Sequence, residues 1–153
     1  MRRRGILLAA FVCLVAATAF AADAQIGTWK LNESKSKLSS GNAKNHTVVY
    51  AAAGDKVKVT VDGTDPDGKP THNEWTGAFD GKEYPVTGDA TSDMRSYTKV
   101  DDHTLAMTIK KGGQVTVTGK IAVSADGKTR TVTTSGMDPK GTAFSSTAVY
   151  DKQ

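Results

Sequence analysis

Lys56-Val57-Lys58-Val59-Thr60-Val61-Asp62-Gly63 is the stretch whose reading decides the fold. Its three valines alternate strictly with lysine, threonine and aspartate until a glycine ends the run. A period of two places successive side chains on opposite faces of an extended chain, so one face is apolar and the other wet. The same pattern recurs downstream. Leu105, Met107 and Ile109 alternate with Thr104, Ala106, Thr108 and Lys110, and Val115, Val117, Ile121 and Val123 alternate with Gln114, Thr116, Thr118 and Lys120. One-sided alternation of this kind belongs to antiparallel sheets with a solvated face.

Turn signals punctuate these runs at short, even spacing: Gly54-Asp55, Asp65-Pro66-Asp67-Gly68, Asp80-Gly81, Asp101-Asp102, Gly112-Gly113, Ala125-Asp126-Gly127 and Met137-Asp138-Pro139-Lys140-Gly141. Asp-Gly and Gly-Gly supply the positive φ that tight hairpins need. Strands are therefore expected near 27–32, 45–53, 56–63, 71–79, 82–87, 93–100, 103–111, 114–124, 128–135 and 142–151. No segment reads as a helix, and no room remains for a crossover. A long meander leaves two open edges unless it closes, so a single antiparallel up-and-down β-barrel of about 8–10 strands is expected. A two-sheet β-sandwich is the alternative that hairpin spacing leaves open.

The beginning of the chain sets the expected compartment. Arg2, Arg3 and Arg4 precede an apolar run from Ile6 to Phe20, followed by the small-residue patterns Ala19-Phe20-Ala21 and Ala22-Asp23-Ala24. The run has the length of a secretory leader and is shorter than the roughly 20 residues that span a bilayer. Residues 1–24 are expected to be a cleaved signal peptide and 25–153 one β-barrel domain, soluble in the periplasm or outside the cell. The only cysteine, Cys13, falls within the leader, so the exported part has no thiol chemistry and no disulfide. Without Arg2, Arg3, Arg4 and Asp23 the charge is 17 basic against 15 acidic residues. The lysines are scattered along strands and turns, which excludes the concentrated basic stripe of a nucleic-acid binder.

The opening of the exported part reads Ile26-Gly27-Thr28-Trp29-Lys30-Leu31-Asn32. A Gly-x-Trp in the first strand, ahead of a β-meander, resembles the calycin group of lipocalins, fatty-acid-binding proteins and avidins. The wider string from Gly27 to Lys37 also resembles uncharacterised exported bacterial proteins with a Gly-Thr-Trp-Lys-Leu-Asn opening and Asp-Gly-Lys turns. The resemblance implies a lipocalin-like barrel in which Trp29 plugs one end and the interior holds a small apolar ligand. The chain departs from true lipocalins in lacking a C-terminal helix pattern and a cysteine pair.

The candidate site residues come from the inner face. Arg95 and Arg130 are the only arginines beyond the leader, against fifteen lysines. Arg130 shares its alternation with Val132, and Arg95 shares a face with Tyr97. Arginine suits bidentate capture of a carboxylate and tolerates partial burial better than lysine. In fatty-acid-binding barrels interior arginines and tyrosines hold the ligand carboxylate, and Arg130 with Tyr150 resembles that arrangement. The expected ligand-binding set is Arg130, Tyr150, Arg95, Tyr97 and Trp75; the alternative for the arginines is a surface position or a structural ion pair. Trp29, Tyr50, Trp75, Phe79, Tyr84, Met94 and Met107 are the large residues expected inside. With so many small neighbours, such a barrel either contains a cavity or flattens until its walls touch.

Other constellations are explained more simply. His72 and Glu74 share a strand face with each other but not with Trp75, so they are expected in solvent rather than joining His46 around a zinc ion. Gly63 to Glu74 has acidic residues at some calcium-loop offsets, but Asp65-Pro66-Asp67-Gly68 is accounted for by turn chemistry. There is no Gly-x-Ser-x-Gly elbow, phosphate loop or inward carboxylate pair. A non-enzyme without cofactor or metal is expected, with a small hydrophobic or amphipathic molecule as partner. The competing expectation is a ligand-free structural or interaction module of the cell envelope.

Overall fold

The structure, a computed structural model, describes residues 23–153. The expected leader sequence up to residue 22 lies outside the described residues. Ten strands run in chain order: β1 (Gly27–Leu31), β2 (Lys44–Ala53), β3 (Lys56–Thr64), β4 (Pro70–Gly77), β5 (Tyr84–Thr87), β6 (Met94–Lys99), β7 (Thr104–Lys111), β8 (Gln114–Val123), β9 (Thr129–Met137) and β10 (Ala143–Lys152). Each pairs antiparallel with its sequence neighbours, and β1 returns to pair with β10, placing Trp29 opposite Lys152 and Leu31 opposite Tyr150. The sheet is a closed up-and-down barrel, and the sandwich alternative is set aside. One 3-10 turn, Glu33–Lys35, interrupts the connection from β1 to β2. No helix among the described residues is long and apolar enough to cross a membrane.

The turn chemistry works as expected. Gly112 and Gly113 both have positive φ, which fits the two-residue hairpin between β7 and β8. Asp65 Oδ1 accepts from the Asp67 and Lys69 amides, so this carboxylate is occupied with its own turn.

Two inner-face assignments are corrected. Met94 alternates with the buried Arg95 and Tyr97, so it lies on the outer face and is only half-buried. Val115 is exposed because the register slips between β7 and β8: Ile109 faces Val117, but Lys110 faces Val115. Thr116 is the extra residue of a β-bulge, and it reverses the facing of everything before it.

The two ends of the barrel differ. At the end where β1 begins, Trp29 is fully buried, and its indole N–H donates to the Gln25 carbonyl at 2.9 Å. The Gln25 amide reaches the His103 carbonyl at 3.3 Å, and the Lys99 ammonium lies 2.9 Å from the Asp23 carboxylate. Nearby, Trp75 stacks on Phe79 and meets Tyr84 and Tyr97 edge-on. This end is packed shut.

Candidate functional site: an internal cavity with two buried arginines

Above that plug the walls stand apart. A cavity of about 730 Å³ occupies the rest of the barrel, within the 300–1,000 Å³ range usual for small-molecule sites. The connecting segments that line it are those joining β1 to β2, β3 to β4, β5 to β6 and β9 to β10. All four lie at the end opposite Trp29, so that end is the mouth. Val48, Val61, Met107, Ile109, Val132 and Ala148 make most of the wall apolar.

Arg130 projects from β9 into this space and is 3% exposed. Its guanidinium lies against two aromatic rings, 4.7 Å from the centroid of Tyr50 and 5.4 Å from that of Tyr150. Such contacts suit the flat, weakly hydrated guanidinium. One terminal nitrogen donates to the Tyr50 hydroxyl at 2.7 Å, while Nε and Nη1 have no protein partner. Among the described residues no carboxylate lies within 4.0 Å of either arginine.

Arg95, on β6, is 6% exposed and also lines the cavity. It makes one long hydrogen bond, 3.4 Å to the Asn73 side-chain oxygen, and its Nε has no protein partner. Tyr97, two residues along the same face, meets the Tyr50 ring edge-on at 6.3 Å. Burial pushes the Tyr50 phenol well above its ordinary pKa, against the opposing pull of Arg130. Tyr50 therefore stays neutral and cannot serve as a counterion. An acidic group acting on Arg95 is Asp89, in the segment joining β5 to β6. Burial raises its pKa, but hydrogen bonds from Ser92 and Thr91, aided by Arg95, hold it below the ordinary value. Its two oxygens are occupied by those hydroxyls and the Thr91 amide.

Of the residues expected at a site, Arg130, Tyr150, Arg95 and Tyr97 line the cavity together. Two details differ. Trp75 does not line it: the ring belongs to the plug, and its indole N–H donates to the Arg95 carbonyl at 2.9 Å. Tyr150 offers Arg130 its ring, because its hydroxyl donates to the Asn45 carbonyl at 3.0 Å. Trp29 sits where a barrel plug should. His46 bonds Thr64, and His72 lies between Asp62 and Glu74 on the outer face. Asn73 and Asp89 were missed. Asn73 was within reach of the sequence, since it shares its strand face with Trp75; Asp89 was not, because a turn aspartate carries no facing signal.

The fold and site together define a closed ten-stranded antiparallel barrel with a one-mouthed apolar cavity and two buried, carboxylate-free guanidinium groups. No protein family matches the sequence, and no curated protein does. Among solved structures the chain is similar to EF1p2_mFAP2b bound to DFHBI, at 15% identity and a TM-score of 0.49, covering 87% of this chain and 97% of that one. It is also similar to a redesigned beta barrel, mFAP1, bound to DFHBI, at 16% identity and a TM-score of 0.44, covering 84% and 95%.

Proposed function

We propose that this protein is a non-catalytic carrier or receptor for a small amphipathic anion, held with its charged end deep in the barrel and its apolar part toward the mouth. One observation carries the reading: Arg130 is buried on the wall of a 730 Å³ cavity with two nitrogens lacking protein partners and no carboxylate within reach. Removing a cation from water costs several kcal/mol unless a partner offsets it. Two aromatic rings and one phenol are a weak substitute, and a ligand carboxylate or equivalent anion would complete the site. The apolar walls toward Phe144 and Leu38 suit a hydrocarbon part.

The test is titration of a fluorescent long-chain fatty acid into the wild type and an Arg130→Leu variant. The expected loss is about 10–100-fold in affinity, from the usual worth of hydrogen bonds to charged groups. Equal binding by both would remove Arg130 from the site. No binding by either would favour the envelope structural module instead.

Export is part of the same proposal, carried by Arg2 to Arg4, the apolar run and the small-residue patterns. Asp23 pairs with Lys99 and accepts from the Gln25 amide at 2.9 Å, which favours cleavage after Ala21 over cleavage after Ala24. N-terminal sequencing of the exported protein should read from Ala22. An intact Met1 would overturn export, and a start at Gln25 would mean that Asp23 is dispensable.

A further inference from the structure

Building on the proposed anion site, we infer that the ligand's head group carries two negative charges, such as a phosphate monoester, and bridges Arg95 and Arg130. The two guanidinium groups come from β6 and β9, strands separated in the barrel by β7 and β8. Both line one cavity, and both act on the phenol of Tyr50. Each guanidinium has five N–H donors in a planar fork. Together they make two hydrogen bonds to the protein, one from Arg130 to Tyr50 and one from Arg95 to Asn73. Three buried nitrogens remain without a protein partner: Arg95 Nε, Arg130 Nε and Arg130 Nη1.

A single carboxylate has two oxygens and one charge, which match one fork. Filling the Arg130 fork that way would leave Arg95 buried, with its Nε unpartnered and no carboxylate within 4.0 Å. Asp89 acts on Arg95 only from a distance: its carboxylate is held by Ser92 and Thr91 in the mouth segment and lies beyond 4.0 Å of the guanidinium nitrogens. A dianion with three acceptor oxygens supplies both the missing charge and the missing acceptors. The neutral phenol of Tyr50, on which both guanidinium groups act, then neighbours the head.

The experiment is calorimetric titration at submicellar concentration and pH 8, where a phosphate monoester is doubly ionised because its second pKa is about 6. The probes are dodecyl phosphate, its monomethyl ester and dodecanoate. The first carries two charges and the others one, while the methyl ester retains the phosphorus centre. Dodecyl phosphate is expected to bind about 10–100-fold more tightly than either monoanion, as one further charged hydrogen-bonding group implies. An Arg95→Met variant should collapse that ratio toward one.

Equal affinity for all three in the wild type would overturn the dianion assignment while leaving the amphipathic-anion reading intact. Failure of all three to bind would overturn both. A ratio that survives in Arg95→Met would remove Arg95 from the head-group site. Should that variant fail to fold, by circular dichroism, the wild-type comparison alone decides.

Discussion

Arg130 is an expensive residue to keep. Its guanidinium has lost its water, has no protein anion and receives only ring contacts and one phenol in return. Replacing even paired buried charges by well-packed apolar groups is often neutral or stabilising by about 1–4 kcal/mol, and an unpaired charge has less to lose. Arg130→Leu should therefore raise the unfolding free energy of the ligand-free protein by an amount in that range, in urea titration, while weakening ligand binding. A variant less stable than the wild type would mean that the Tyr50 and Tyr150 contacts outweigh desolvation. The opposite signs of the two effects separate a residue kept for a ligand from one kept for the fold.

At the scale of elements, the strands divide their work by position along the barrel. The β1 segment delivers Trp29 to the closed end, where the indole is fully buried and its N–H is satisfied by Gln25. Trp29→Ala should cost about 3–5 kcal/mol in a denaturant melt, as for other large aromatic deletions from a core. A loss below about 1 kcal/mol would make the tryptophan peripheral and remove the plug. Glycines let the strands bend around the cavity. A Cβ on Gly136 would sit 2.0 Å from the Thr116 carbonyl oxygen, and one on Gly63 would sit 2.0 Å from that of Lys44. No side chain fits there without moving backbone, consistent with the role of glycine at tight bends of a sheet. The bulge at Thr116 belongs to the same geometry.

At the scale of the whole molecule, pH acts through the outer wall. His72 on β4 lies between Asp62 and Glu74, at 2.6 and 3.4 Å, and Lys58 pairs with Glu74. Hydrogen bonding to Asp62 and then to Glu74 raises the His72 pKa above its ordinary value of 6.5. A raised folded-state pKa gives a contribution to stability that is fully present below the ordinary value and lost as pH rises through the raised one. The difference in thermal midpoint between wild type and His72→Gln should therefore shrink between pH 6 and pH 8. The imidazole lies in solvent, so the effect should be small and should fall with added salt. A difference independent of pH would show that the imidazolium contributes nothing.

The sequence by itself determined the strands and most of their facing, while the choice of a closed barrel over a sandwich came from the pairing of β1 with β10. Strands and facing follow from local rules: the two-residue period of Val57, Val59 and Val61, and the backbone freedom of glycines at turns such as Gly112-Gly113. The inward facing of Arg130 with Val132, and of Arg95 with Tyr97, was legible for the same reason. Only the tertiary structure decided what those groups meet. Arg130 and Tyr50 are 80 residues apart in sequence, and their contact depends on barrel closure and on the spacing across its interior. Closure also directed the Tyr150 hydroxyl to Asn45 and placed Trp75 in the plug rather than on the cavity wall. The bulge that exposes Val115 is a shift of register between β7 and β8, which one strand's alternation does not record. Which face a side chain takes is a property of its own strand; what stands opposite it across a cavity is a property of the whole barrel.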